Sequence, residues 1–79
     1  MITSAQIRAA RAMLNWSRDK LSAHSEVGIS ALMRLESSEG VPSGNIKTFE
    51  SVQKAFENAG IEFIGTPENG AGVRWKPTS

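Results

Sequence analysis

The chain has no cysteine and a single histidine. The first absence excludes a disulfide framework and any thiolate metal site. His24 alone cannot hold zinc without carboxylate help, and no ligand cluster is spaced to provide it. No stretch approaches the length of a membrane span, and the N-terminus has no apolar run of the signal-peptide kind. A cytoplasmic location is the expectation. Catalytic signatures are missing as well: no Gly-rich phosphate loop, no nucleophile elbow and no metal-ligand spacing. Glu36 and Glu39 come nearest to a carboxylate pair, and nothing in the sequence sets them in a pocket. The expectation is a protein that is not an enzyme and carries no cofactor or metal. Net positive charge is also small, with nine Lys and Arg against eight Asp and Glu. The formal net charge is +1, whereas dedicated DNA-binding domains are usually more basic, because neutralising phosphates supplies much of their affinity.

The 79 residues suffice for one domain with a thin core, spanning 1–79, for which oligomerisation would be an advantage. Charge is unevenly spread. Residues 1–25 hold Arg8, Arg11, Arg18 and Lys20 against Asp19, while residues 26–50 hold Glu26, Glu36, Glu39 and Glu50 against Arg34 and Lys47.

Thr3 or Ser4 can cap a first helix running to about Leu14, with Ile7, Ala10, Met13 and Leu14 at helical spacing. Asn15-Trp16-Ser17 interrupts it. Ser17 is a good N-cap for a second helix, with Asp19 in the first turn. Lys20 stands where a capping box would need Glu or Gln. Leu21 anchors this helix, and Trp16 is a core or staple residue. A third helix is expected from about Gly28 to Ser37. Its Leu32 and Leu35 face inward, and Ile29, Ser30, Met33, Arg34 and Ser37 face outward. Ser38–Gly44 reads as a loop. Asn45 caps a fourth helix from Ile46 to about Asn58, with an apolar stripe of Ile46, Phe49, Val52 and Phe56 and Gly60 as the stop. The period then changes to two. Ile61–Ile64 and Val73–Lys76 alternate as strands, joined by a turn-rich link from Thr66 to Gly72, which predicts a hairpin. Trp75 is a core or interface residue, and its alternation with Val73 favours packing on one face. The fold class is therefore mainly α: four helices (3–58) and a C-terminal β-hairpin (61–76).

Arg11, Trp16-Ser17, Leu21, Val27, Leu32, Leu35 and Glu36 together resemble the Cro/XRE family of helix-turn-helix regulators over residues 3–58. The tail, Ala59–Phe63 followed by Gly72-Val73-Arg74, is similar to an extension found in bacterial members. The resemblance implies that Arg11 pairs with Glu36, a structural tie between the first and third helices. It also implies a third helix that reads DNA. Here the departures concentrate. Arg18 replaces the usual Gln at the phosphate-facing start of the second helix. Glu26 replaces a Gly where the turn often needs a positive φ, so the turn is either strained or rebuilt. Gly28 replaces a Ser or Thr cap. Ile29, Ser30, Ala31 and Met33 occupy or flank the reading positions, where base recognition needs matched donors and acceptors. Only Arg34 keeps a bidentate-capable group.

An apolar pair four residues apart on a normally polar face points to a protein contact, and methionine suits an adaptable one. The leading expectation is a degenerate helix-turn-helix that controls transcription as an antiactivator. It would bind a transcriptional activator protein through Ile29, Ser30, Met33 and Arg34, similar in size and type to the QseM-like antiactivators of mobile conjugative elements. The alternative is a sequence-specific DNA-binding repressor, possible as a homodimer, with Ser17, Arg18, Ser30 and Arg34 on an operator and the hairpin as a dimerisation element. An antitoxin-like partner of a toxin uses the same fold. Unexceptional readings stand beside these. A rotated third helix would use Ile29 and Met33 to complete the core, and Arg34 would then be a solvated helix charge.

Overall fold

The computed structural model describes residues 2–38 and 45–77. Four helices, α1 (Ser4–Leu14), α2 (Arg18–Ser25), α3 (Ile29–Ser37) and α4 (Ile46–Asn58), precede two strands, β1 (Ile61–Thr66) and β2 (Asn69–Trp75). The expected Ser38–Gly44 loop lies, apart from Ser38, outside the described residues.

Local chemistry sets the helix boundaries. Thr3 caps α1 through a full capping box: its hydroxyl accepts from the Gln6 N–H at 3.1 Å, and Gln6 Oε1 accepts from the Thr3 N–H at 2.7 Å. Asn15 ends α1 in the left-handed region, at φ 56°, a conformation Asn tolerates better than most residues. Ser17 then caps α2, accepting from the Lys20 N–H at 3.1 Å. Asn45 caps α4 through Lys47 N–H at 2.8 Å.

One residue of each apolar stripe after another enters a shared core. Ile7 and Ala10 come from α1, Leu21 from α2, Leu32 and Leu35 from α3, Phe49, Val52 and Phe56 from α4, and Ile61 from β1. Met13, Leu14 and Trp16 pack on it from the side. Trp16 lies between His24 (ring centroids 4.3 Å apart, 7° between planes) and Phe56 (5.8 Å, 23°). His24 is thus an exposed residue stacked on the domain's edge.

Ile46 departs from the expected stripe and is 63% exposed. It is the first residue of α4. Helical side chains lean toward the N-terminus, so Ile46 leans past the end of the stripe. There it borders, with Ile2 and Phe49, a surface cavity of about 250 Å³.

The hairpin is longer and its turn shorter than the residue pattern predicts. The strands extend to Thr66 and begin again at Asn69, which leaves Pro67-Glu68 as the turn. Pro67 supplies the preset φ of a first turn position, and Asn69-Gly70 falls in the strand. The register shifts at Thr66, which faces both Asn69 and Gly70. Gly65 adjoins this bulge at φ +75°, where a Cβ would lie 2.3 Å from the Gly70 carbonyl oxygen; only glycine fits such an approach. Below the bulge the register is regular: Ile64 faces Gly72, Phe63 faces Val73, Glu62 faces Arg74 and Ile61 faces Trp75. Phe63 and Val73 pack on the core. Trp75 shares their face but is 52% exposed, not packed. It lies over Gly60, the residue after the α4 C-cap, rather than under the sheet.

The sheet rests on α1 and α4, with β2 against α1 and β1 against α4. One side chain fastens it. Gln6 is buried, and its Nε2 donates to the Ile64 carbonyl at 3.3 Å and the Gly72 carbonyl at 2.9 Å. The residue that completes the α1 capping box therefore also ties the two strands to the helices.

Candidate partner-binding face

The turn from α2 into α3 fixes how α3 is presented. Glu26 takes φ 59°, ψ 27°, so the turn keeps its left-handed residue and is not rebuilt. Serines hold the flanks. Ser22 Oγ donates to the Val27 carbonyl at 2.6 Å, and buried Ser25 donates to the Leu21 carbonyl at 2.7 Å while accepting from the Val27 N–H. The left-handed conformation costs about 1–2 kcal/mol for a residue with a Cβ, and glycine's extra unfolded-state freedom returns about 0.5–1 kcal/mol. Glu26→Gly is therefore expected to stabilise the domain by up to about 1 kcal/mol, read as a higher urea midpoint at unchanged slope. A fall in the midpoint would count against strain at this position.

Helix α3 is not rotated. Leu32 and Leu35 are 0% and 4% exposed, which leaves Ser30, Met33, Arg34 and Ser37 on the outer side. Met33 is 50% exposed. Ile29, four residues earlier on the same side, is half-buried. Ser30 and Arg34 form the adjoining row at the same spacing. Among the described residues no carboxylate pairs with Arg34. Gly28 occupies the N-cap without any side-chain cap bond, so the first N–H groups of α3 have no side-chain acceptor from it. The four sequence-selected residues are therefore neighbours on one surface, formed of a thioether, a branched aliphatic edge, a hydroxyl and a guanidinium.

Ser17 and Arg18 do not belong to that row. The Ser17 hydroxyl serves the α2 cap, and Arg18 Nε turns inward to Glu36 Oε2 at 3.3 Å, with its side chain 42% exposed. The carboxylate it meets is the centre of a larger arrangement. Glu36 is buried, with a side chain 1% exposed. Its Oε1 accepts from Arg11 Nε at 3.1 Å and Arg11 Nη2 at 2.8 Å. Arg11 Nη1 reaches the Trp16 carbonyl at 2.9 Å, and Arg8 donates to the Glu36 carbonyl. Three guanidiniums from α1 and α2 thus converge on one residue of α3. Buried Ser4 adds a fourth tie, its hydroxyl donating to the Leu35 carbonyl. These contacts set the height and rotation of α3 relative to α1, and so decide which of its residues face out.

Ser4 enters from the sequence only as an alternative cap, which Thr3 takes instead, and Arg8 only as one of the N-terminal charges, while Gln6 is given no place. For Gln6 a signal was present: Thr-x-x-Gln is the spacing of a capping box. For Ser4 and Arg8 there was none, because their partners are backbone carbonyls of a distant helix.

Among the described residues no group of acidic, histidine or cysteine side chains could hold a metal ion, and no helix is long and apolar enough to cross a membrane. No family model matches the chain, and no curated protein matches it either.

Proposed function

We propose that the chain regulates transcription as a degenerate helix-turn-helix of Cro/XRE type, acting as an antiactivator in the cytoplasm. The outer face of α3 binds a transcriptional activator protein and blocks it. The observation that carries this reading is the half-exposed Met33 beside Ile29 on the outer row of α3. A DNA-reading helix places donors and acceptors there, whereas an adaptable apolar pair rimmed by Ser30 and Arg34 suits a protein surface. The low net charge of +1 supports the same reading, since little phosphate neutralisation is on offer.

The substitution Met33→Glu tests it. Met33 is outside the core, so stability is expected to change by no more than about 0.5 kcal/mol. Repression of activator-dependent transcription in a reporter strain is expected to be lost. Full repression by a folded Met33→Glu protein would overturn the assignment of this face. The second reading, a dimeric DNA-binding repressor, is favoured by the exposed Arg34 and by the part of Arg18 that stays in solvent. It requires duplex binding that falls steeply with salt, weakened by about 1–3 kcal/mol in Arg34→Ala. Absence of such binding at micromolar protein and low salt is the expected result.

A further inference from the structure

We propose that the outer row of α3 receives an acidic amphipathic helix of the activator, in which two carboxylates about two turns apart flank an apolar side chain that lands on Met33. The inference rests on the reading of that face as a protein contact, and it adds the chemistry of the segment that covers it.

Position along α3 sets an order across its face. Successive residues are about 100° apart around a helix, so Glu36 lies about 60° from Met33 on one side and Arg34 about 100° from it on the other. The Glu36 side is cationic although a carboxylate stands at its centre. Arg11 and Arg18 share that one buried carboxylate, and Arg8 donates to the Glu36 carbonyl, an uncharged group. Three guanidiniums against one carboxylate leave two positive charges over. None of them is sealed from solvent: Arg8 is exposed, and Arg11 and Arg18 are half-buried. Across the row Arg34 is exposed and meets no carboxylate among the described residues. Asp19 and Glu26 are exposed acids of the same helical body. Even with them, residues 2–38 carry five Lys and Arg against three Asp and Glu.

The face is thus an apolar centre between two cationic flanks. Met33, with Ile29 beside it, gains from burial against an apolar side chain, while the flanks call for anions. A phosphate backbone would meet the cations but set charge against the thioether. A crossing helix satisfies both. The two flanks are about 160° apart around α3, so nearly its whole width of about 10–12 Å separates them. Residues seven apart on a helix share one face at a spacing of about 10.5 Å, with the third and fourth residues between them. Carboxylates at i and i+7 therefore straddle α3, one toward Arg34 and one toward the arginines around Glu36. An apolar residue at i+3 or i+4 then meets Met33. Guanidinium–carboxylate pairs are directional, so the two flanks also fix the register of the segment.

The probe is a helical peptide with Glu at two positions seven apart and Leu at the third and fourth positions after the first Glu. Its counterpart carries Lys in place of both Glu. Titrated into the isotope-labelled full chain, the Glu peptide is expected to shift the amide signals of Ile29, Ser30, Met33 and Arg34. The Lys peptide is expected to bind at least about tenfold more weakly. Arg34→Glu changes an exposed side chain that has no ion pair among the described residues, and it is expected to reverse the preference. Equal binding of both peptides, no binding up to millimolar peptide, or shifts confined to other elements would overturn the proposal. The reporter strain separates it from the reading it rests on. Repression is expected to be lost in Arg34→Glu and kept in Arg34→Lys. Repression kept in Arg34→Glu but lost in Met33→Glu would leave α3 as the contact and overturn the acidic partner alone. Full repression by both variants would overturn the assignment of the face itself. Salt-steep duplex binding that Arg34→Glu abolishes would assign the cations to phosphate, and the acidic helix would fall.

Discussion

Glu36→Gln is expected to cost the domain about 3–5 kcal/mol, read as a loss of most of the urea midpoint. The shape of the side chain is kept, so the effect isolates charge and acceptor number. Glu36 is 1% exposed and accepts from Arg11 twice and from Arg18 once. Glutamine would offer one acceptor and turn an amide N–H₂ toward a guanidinium that has only donors. The positive charges at this junction would then have no counter-charge. A domain of this size has about 0.05–0.15 kcal/mol of stability per residue, so the substitution removes a large share of the total. Arg18→Ala is expected to do much less, within about 1 kcal/mol, because that side chain is 42% exposed and water screens the pair. A Glu36→Gln protein as stable as wild type would mean that the arginines find solvent, and that the network does not hold α3 in place.

The second large effect is expected at Gln6. Glu is the more usual residue of a capping box, and Gln6→Glu keeps the oxygen that accepts from the Thr3 N–H. What it removes is the Nε2 donor shared by Ile64 and Gly72, and it sets a carboxylate against both carbonyls. With the side chain buried, the expected loss is about 2–4 kcal/mol. The loss is also expected to be local. Amides of β1 and β2 should exchange faster by a larger factor than those of α2 and α3, as hydrogen exchange followed by NMR would show. Uniform loss of protection, or none, would mean that Gln6 acts only as a cap.

These two sites differ in how far the sequence foretold them. Arg11 and Glu36 were singled out because they resemble a known pair, and they meet at 2.8 Å. Arg8 and Arg18 completing the group could not be read, since no periodicity links them to α3. Helix ends were legible because caps are local: Thr3, Ser17 and Asn45 each bond within three residues of themselves. Ser4 and Gln6 contact residues 31, 58 and 66 positions away, so only the assembled fold shows their second roles. Ile46 failed as a core residue because a stripe has an end, and period alone does not say where its neighbours stop. The hairpin turn was placed too broadly because Asn69-Gly70 carries a strong turn signal of its own, while Pro67 decided the outcome. The outer row of α3 was legible only in part: spacing turned Leu32 and Leu35 inward, but a rotated helix that buries Ile29 and Met33 stayed open, and the burial of the two leucines with Met33 half-exposed decides against it.

The stack at Trp16 makes the domain optically addressable. The chain has two tryptophans and no tyrosine, so its near-ultraviolet emission comes from two places only. Trp16 is held between His24 and Phe56 at the junction of α1, α2 and α4. Trp75 is half in water on the last strand. Loosening of the helical body changes the surroundings of the first fluorophore and leaves those of the half-exposed second. One unlabelled cuvette therefore follows both ends of the molecule as separate signals.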